Sequence, residues 1–390
     1  MILSYFMQSA NFTHVFYALF LSVLGQTVLK AFDKDVWAKK LLLLSVFLIA
    51  LVTNSFFVFV SMIFIYVFSF LEEKKEANSL WGVLITCVAL GGILSVNAKN
   101  FLSMFIGLEL QNLALALIAA KNYKEDYGLE PGIKFFIGNV CSTFIMLFGI
   151  SILYYSTGSI EIDALSYLKS DFFSIIGVVS IFASLLFKLS LFPFSEWFLD
   201  VSKGLNPIGL ASLNIIPKMS AFLIFVNLAA FLKGFCWFSD FLVLIPILSM
   251  IASSLLIIGQ SNLDKLIAYS SVYNASLIVL IVNLVEKSVV LEYVYIYLIS
   301  SFIFFISRVF SNSQINFLNF KSKASKYLMF FSILTLASLP PFPMFFIKLK
   351  IIKNIIGNNL ISSIVILITS SLNLFAYIRL AKEVKVTKIS

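Results

Sequence analysis

The chain is short of the side chains around which soluble enzymes are built. Charged residues make up 12% of its 390 positions, histidine occurs once and cysteine three times. A soluble domain is about a quarter charged and about half apolar, whereas here 61% is hydrophobic and the mean hydropathy is +1.02. Readings that need large polar loops are excluded, because every polar stretch is short. Cys87, Cys141 and Cys236 show no paired spacing, so neither a disulfide framework nor a metal site is expected. The single histidine, His14, stands near the start of the first apolar run and reads as a cap or interfacial residue. No arginine- or serine-rich leader precedes that run, so no cleavable presequence is expected. The formal charge of +9 comes from basic residues in short loops and at the tail. There they orient and anchor spans, and nucleic-acid binding is not expected.

What remains is a polytopic, all-α membrane protein. Runs of about 20 apolar residues read as membrane helices. They fall near 12–32, 41–70, 80–97, 101–120, 133–156, 172–194, 207–232, 240–259, 265–284, 288–310, 327–347 and 360–380. The 41–70 run suits one tilted helix or two tight ones, so the expected count is roughly 11 to 13. The connections are EEKKEAN at 72–78, KNYKEDYGLEPG at 121–132 and STGSIEIDALSYLKSD at 156–171, the last with room for an amphipathic turn. No separate soluble domain can be cut out.

Two stretches nearly repeat: LFPFSEWFLDV at 191–201 and, 148 positions later, LPPFPMFFIKL at 339–349. Proline removes a backbone donor and clashes with the previous turn, so Pro193 and the Pro340-Pro341 pair should each interrupt a helix. Broken helices at corresponding positions of two halves mark inverted-repeat transporters and their ion sites. Against this, a chain rich in Phe and Leu produces such echoes cheaply.

Four ionisable side chains fall inside or against apolar runs. Glu109 lies in FLSMFIGLELQNLALALIAA, roughly 12–16 Å from either end of the run and so near the bilayer centre. Lys188 precedes Pro193 by five residues, Lys218 follows Pro217 directly, and Lys348 follows the Pro340-Pro341 break. Each such charge costs about 2.5–3.5 kcal/mol at a helix centre. They are tolerated where they pair, are hydrated internally or work. A fixed Glu109–Lys188 ion pair that only specifies packing accounts for two of them. A proton relay accounts for all four, since desolvation favours a neutral amine and an approaching carboxylate favours the ammonium. Candidate linkers are Ser190, Asn214, Ser220, Tyr269, Ser270, Ser271, Asn274 and Thr335. Lys348 has two readings: snorkelling at an interface beside Lys350 and Lys353, or an interior position if the break lets the chain run back. Lys134, Glu292 and Arg308 lie near span ends and read as anchors.

These residues resemble a known family, the antiporter-like membrane subunits of respiratory NADH–quinone oxidoreductase (complex I), in the branch called subunit N or chain 2. The segments that carry the resemblance are GLELQNLALALIAAKN at 107–122, FKLSLFPFSEWFLDVSKG at 187–204, IIPKMSAF at 215–222, NLDKLIAYSSVYNASLIV at 262–279 and LASLPPFPMFFIKL at 336–349. They stand in the family's order and spacing, and the resemblance runs from about 78 to 380. It implies two inverted five-helix repeats with broken helices. Residues 1–77 would be accessory helices, 78–232 the first half, and 233–390 the second half and tail. Glu109 and Lys188 would be the glutamate–lysine pair of a proton channel, Lys218 the central-axis lysine and Lys348 the terminal lysine. A lysine at that last position favours chain 2 over its sister chain 4. The chain would be a subunit of a proton-translocating enzyme but carry out no redox chemistry and bind no cofactor. NADH, FMN, iron–sulfur clusters and quinone would belong to partner subunits. Its partners would be other membrane-arm subunits, including neighbouring antiporter-like ones, and membrane lipids.

The chain also departs from the pattern. Asn274 stands where the family often has histidine, so an imidazole bridge along the axis is missing. Ser195 and Glu196 follow Pro-Phe where a histidine is usual, and Ser202-Lys203 replaces tyrosine-glutamate. The N-terminus looks shorter by about one helix, and little follows 380. High Phe, Ile, Lys and Ser content suggests an AT-rich genome, so the expected place is the mitochondrial inner membrane, with a bacterial plasma membrane as the alternative. Two other functions share the fold: a subunit of a multisubunit cation/proton antiporter, and a scaffold whose intramembrane charges are vestigial.

Overall fold

A computed structural model describes residues 80–121, 123, 127–168, 171–232, 235–309, 323–357 and 359–386. The expected runs at 12–32 and 41–70, the segment 72–78 and His14 lie outside the described residues. Within them the chain is all-α. The first half holds α1 (Leu80–Val96), α2 (Phe101–Lys121), α3 (Glu130–Thr157), α4 (Phe172–Lys188), α5 (Glu196–Gly204), α6 (Pro207–Asn214) and α7 (Ile216–Leu232). Then come α8 (Cys236–Leu256), α9 (Leu263–Leu284), α10 (Lys287–Val309), α11 (Lys323–Leu336), α12 (Pro343–Ile355) and α13 (Leu360–Val386). One short 3-10 turn, Ile162–Tyr167, occupies the 156–171 connection and buries only Leu165.

Among the described residues, seven segments are long and apolar enough to cross a membrane, with α6 and α7 counted as one. Their depth in the bundle is graded. The apolar window of α9 is 83% buried and that of α6–α7 is 72%, against 33% for α3 and α8. The first two therefore form the axis. The outer helices turn Leu117, Phe144, Phe148, Leu244 and Leu367 outward, as a lipid-facing surface requires. In lipid, close backbone approach replaces the hydrophobic effect as the glue between helices. At the α1–α2 contact, a Cβ on Gly107 would lie 2.6 Å from Ser95 N and 2.8 Å from the Gly91 carbonyl.

The two proline stretches build the same turn. In the first, α4 stops at Lys188, Ser190 adopts φ +61° and Phe192-Pro193 is cis. In the second, α11 stops at Leu336, Ser338 adopts φ +57° and Pro340-Pro341 is cis. The hydrogen bonds correspond at the same 148-residue offset. Leu189 N–H donates to Leu185 O and Leu191 N–H to Leu186 O, matched by Ala337 to Ile333 and Leu339 to Leu334. Ser190 to Phe187 and Phe194 to Leu191 are matched by Ser338 to Thr335 and Phe342 to Leu339. Such agreement is not a by-product of low sequence diversity. It also corrects the helix lengths, because 172–194 is a helix that ends at Lys188 followed by a turn leading to α5, and 327–347 is a helix, a turn and the start of α12. A third interruption lies at Ile215, where Pro217 cannot continue the ladder and α7 starts afresh.

Arg308 corrects a second expectation. It is no span-end anchor but fully buried, with Nη2 donating to Asp264 Oδ1 at 3.0 Å across the α9–α10 pair. Asp264 sits in the first turn of α9, behind the Asn262 cap, and Arg308 in the last turn of α10. Each charge therefore meets the favourable end of its own helix dipole. Lys134 and Glu292 do sit at the surface, in exposed pairs with Glu130 (2.7 Å) and Lys350 (2.9 Å).

Two outcomes follow for stability. Arg308→Met leaves Asp264 buried beside no arginine and costs about 3–5 kcal/mol, read as a loss of folded protein in detergent, while Lys134→Met at the surface leaves the yield unchanged. Gly107→Ala forces α1 and α2 apart and costs about 1–3 kcal/mol. Its thermal midpoint falls, whereas Gly259→Ala, which faces open space, leaves the midpoint in place.

Candidate functional site

The end of α4 and the start of α7 meet around one internal cavity of about 20 Å³ lined by Gln111, Asn139, Lys188, Ser190, Trp197 and Lys218, among others. That is room for about one water, which needs roughly 10–15 Å³ and two to four polar partners. Lys188 owes its place to the proline turn: it is the last residue of α4, and Trp197 stacks on neighbouring Phe187 across the turn, centroids 5.5 Å apart. Its Nζ is buried and has no hydrogen-bond partner.

Glu109 lies within electrostatic range of Lys188, but the two do not form the contact ion pair that the sequence suggested. The carboxylate is held instead by Thr143, whose Oγ1 donates to Oε1 at 2.6 Å, and by Asn112, whose Nδ2 donates at 2.9 Å. Thr143 was missed from sequence. Its signal was legible, since Asn139 and Thr143 lie four apart in an otherwise apolar span and so face the same neighbour. Gln111, also missed, bridges α1 and α7 by donating to Val88 O at 3.1 Å and accepting from Ser220 Oγ at 2.9 Å.

Lys218 stands in the kink after Pro217, 2% exposed. Its ammonium lies 4.1 Å from the centroid of the Phe198 ring, a cation–π contact, and donates to Ser271 Oγ. Ser271 passes the connection on. It donates to Asn214 Oδ1 at 2.9 Å and accepts from Tyr297 OH at 3.3 Å. Ser270, on the adjoining face of α9, hydrogen-bonds Tyr377 OH. Asn214, Ser270, Ser271, Tyr297 and Tyr377 together line a second cavity of about 20 Å³. Charge and neutral polar groups thus continue from the first half to the second along the axis helices.

Burial decides between the two readings of Lys348, which lies in α12 after the proline turn. That residue is buried, 7% exposed, and its Nζ sits 5.3 Å from the centroid of the Tyr273 ring. Lys350, two residues on, points away and pairs with Glu292 at the surface. The snorkelling reading therefore fits Lys350 and not Lys348.

Other candidates are placed less centrally. Asn274 is buried, but its amide is fixed between Ser270 O (2.8 Å) and Tyr293 OH (2.8 Å). Tyr269 is half-buried in an apolar contact with Phe198 and Val272, outside the hydrogen-bonded chain. Thr335 bonds only Ser332 O of its own helix. Pro193, Pro340, Pro341 and Pro217 shape the turns, and Pro217 also lines the first cavity. Ser190 does line the first cavity, with a buried hydroxyl that has no partner. Among the described residues, no group of three or more His, Cys, Asp or Glu side chains comes together that could hold a metal ion.

Comparisons with known proteins agree with this geometry. Residues 98–373 match the family described as NADH:quinone oxidoreductase/Mrp antiporter, TM. A curated relative from Orientia tsutsugamushi (strain Ikeda), NADH-quinone oxidoreductase subunit N, is 29% identical over 313 residues, covering 74% of this chain and 65% of its own length. The chain thus spans just under two thirds of that relative. The subunit N of Wolbachia sp. subsp. Brugia malayi (strain TRS) is 30% identical over 325 residues, 79% of this chain and 70% of the relative. A chain in the structure of respiratory complex I from Thermus thermophilus with bound aureothin superposes with a TM-score of 0.81 at 21% identity, covering 95% of this chain and 89% of that one. That likeness establishes the antiporter-like fold. The matched segment takes in both proline turns and all of the buried lysines, and the chain belongs to the NADH:quinone oxidoreductase/Mrp antiporter transmembrane family.

Proposed function

We propose that this chain is a proton-translocating membrane-arm subunit of an NADH–quinone oxidoreductase, and that Glu109, Lys188, Lys218 and Lys348 form its relay. The single observation that carries the reading is the placement of the amines. The amines of three lysines are buried at three interruptions of the helical bundle, and two of them border one internal cavity that also reaches Gln111, Asn139 and Ser190. Buried lysines are retained in membranes where they serve ion or proton pathways. None of these three forms an ion pair of the kind that Arg308 forms with Asp264, so packing specificity does not account for them. The partners would be the other membrane-arm subunits, and the membrane a bacterial plasma membrane or a mitochondrial inner membrane. NADH, FMN, iron–sulfur clusters and quinone would reside in the partner subunits.

The chemistry follows from Glu109. Held by Thr143 and Asn112, its carboxylate is near Lys188 without touching it, so a small displacement changes how strongly the ammonium is favoured. A charge change in a neighbouring subunit that draws Glu109 away would release a proton from Lys188 into the first cavity. Lys218, which borders the same cavity, would receive it and pass it towards Lys348. Quinone reduction elsewhere would supply the charge change.

In the assembled complex, Lys188→Met lowers proton translocation per NADH oxidised by about tenfold or more, on the scale at which a lost acid–base group acts, with the subunit complement unchanged. Unaltered stoichiometry in that variant overturns the relay. Co-purification with flavin and iron–sulfur subunits supports the complex I assignment. Sodium- or potassium-dependent proton flux without NADH oxidation transfers the chain to the cation/proton antiporter branch of the family.

A further inference from the structure

Between Lys218 and Lys348, among the described residues, the structure places no titratable carboxylate, imidazole or amine of the relay, yet it buries four tyrosines there. Tyr273, Tyr293, Tyr297 and Tyr377 come from α9, α10 and α13, and each is at most 4% exposed. Tyrosine hydroxyls in the interior of a bundle usually serve one fixed hydrogen bond. Tyr293 does so, through its donation to Asn274. The other three are arranged differently. Tyr297 donates to Ser271, which also accepts from Lys218. Tyr377 is bonded to Ser270 on the far side of the second cavity. Tyr273, one turn further along α9, has a buried hydroxyl whose polar neighbour is Thr369, and its ring carries the Lys348 ammonium. The Tyr377 hydroxyl is within electrostatic range of those of Tyr273 and Tyr297.

We infer that Tyr297, Tyr377 and Tyr273 form a hydroxyl relay that carries the proton from Lys218 to Lys348, in the interval where Asn274 supplies only a fixed amide. The inference rests on the lysine relay proposed above and names the groups between its two ends. Each step is a proton exchange that balances at every oxygen. The Nζ–H bond of Lys218 breaks as Ser271 Oγ gains that proton. The hydrogen already on Ser271 leaves for the Tyr297 oxygen, and the Tyr297 hydroxyl proton passes to water in the second cavity. That water gives one proton to the Tyr377 oxygen, while Ser270 keeps its own hydrogen and only positions Tyr377. Tyr377 hands one on through Tyr273 to neutral Lys348. Lys218 ends neutral, Lys348 ends as an ammonium, and each hydroxyl ends with one hydrogen. Asn214 sets the resting state: by accepting the Ser271 hydrogen it points that proton away from Tyr297. Transfer therefore begins with rotation of two hydroxyls, that of Ser271 towards Tyr297 and that of Tyr297 towards the second cavity.

The test uses the intact complex reconstituted in vesicles, with protons translocated per NADH oxidised as the readout. Tyr297→Phe and Tyr377→Phe each remove one hydroxyl and keep the ring. Each is expected to lower the stoichiometry at least threefold, with NADH oxidation under uncoupled conditions and subunit content retained. Tyr155→Phe, 76% exposed on the lipid side, is expected to change nothing. Because the two hydroxyls lie on different helices, loss of assembly in one variant leaves the other to decide. Normal stoichiometry in the tyrosine variants, with a loss in Lys218→Met, overturns the hydroxyl relay and leaves the lysine reading standing. Normal stoichiometry in all three overturns both.

Discussion

Backbone that leaves the helix inside a bilayer must find its hydrogen bonds within the protein, and the site in this chain is organised around two places where it does. At Ser190 and Ser338 the chain turns through left-handed φ, a conformation that costs a non-glycine residue about 1–2 kcal/mol. The same set of carbonyls and amides closes each turn. The consequence is spatial. A continuous helix would carry Lys188 into the middle of a regular ladder and Lys348 out to the far interface. With the turns in place, Lys188 becomes the last residue of a helix, its amine buried beside a cavity, and Lys348 lies in a separate helix with its side chain in the core. The kink at Pro217 does the same for Lys218. Each amine stands within five residues of a proline, so the residue that breaks the ladder also decides where the charge is held.

Much of this was legible in sequence because it depends on local rules. The spans were visible as apolar runs, and the interruptions as prolines placed where a helix could not absorb them. The place of Glu109 near the middle of α2 followed from counting residues along it. Counting gives depth but not direction around the helix, which is why the expected Glu109–Lys188 contact was not found and Thr143 was overlooked. Arg308 shows the complementary limit. Its place near the end of α10 suggested an anchor, and only the return of α9 brings Asp264, 44 residues earlier, against it. The tyrosines were hidden for a chemical reason. In a chain with 15 tyrosines and 43 phenylalanines, a buried hydroxyl has no signature that separates it from an aromatic facing lipid.

The two turns share a backbone but not a chemistry. At the 148-residue offset, the position of Lys188 is taken by Leu336, and that of Lys348 by Asp200. Asp200 lies at the surface, its side chain 53% exposed beside Lys134 at 3.5 Å. One half therefore places its amine before the turn and the other places its amine after it. The scaffold positions a buried side chain on either flank of the break, and each half uses a different flank. This separates the constraint on the fold, which is the turn itself, from the constraint on function, which is the identity of one residue beside it.

That separation bears on how charge is held along the axis. A buried ammonium is tolerable where something polar faces it, and the three lysines meet this need in three ways: a cavity with a nearby carboxylate, an aromatic face with a serine, and an aromatic face alone. Between them lie hydroxyls and amides, which carry no net charge and so add no cost of burying an ion. Such a chain is conductive only when its hydroxyls point the same way. In the arrangement described, Ser271 points to Asn214 and Asn274 is locked between Ser270 and Tyr293, so the axis is polar throughout yet not aligned for transfer. A device that moves protons against a gradient needs this property, because a permanently aligned wire would let them return. With an amide rather than a titratable group at Asn274, the relay proposed above would make the orientation of neutral groups the step at which flow is permitted or refused.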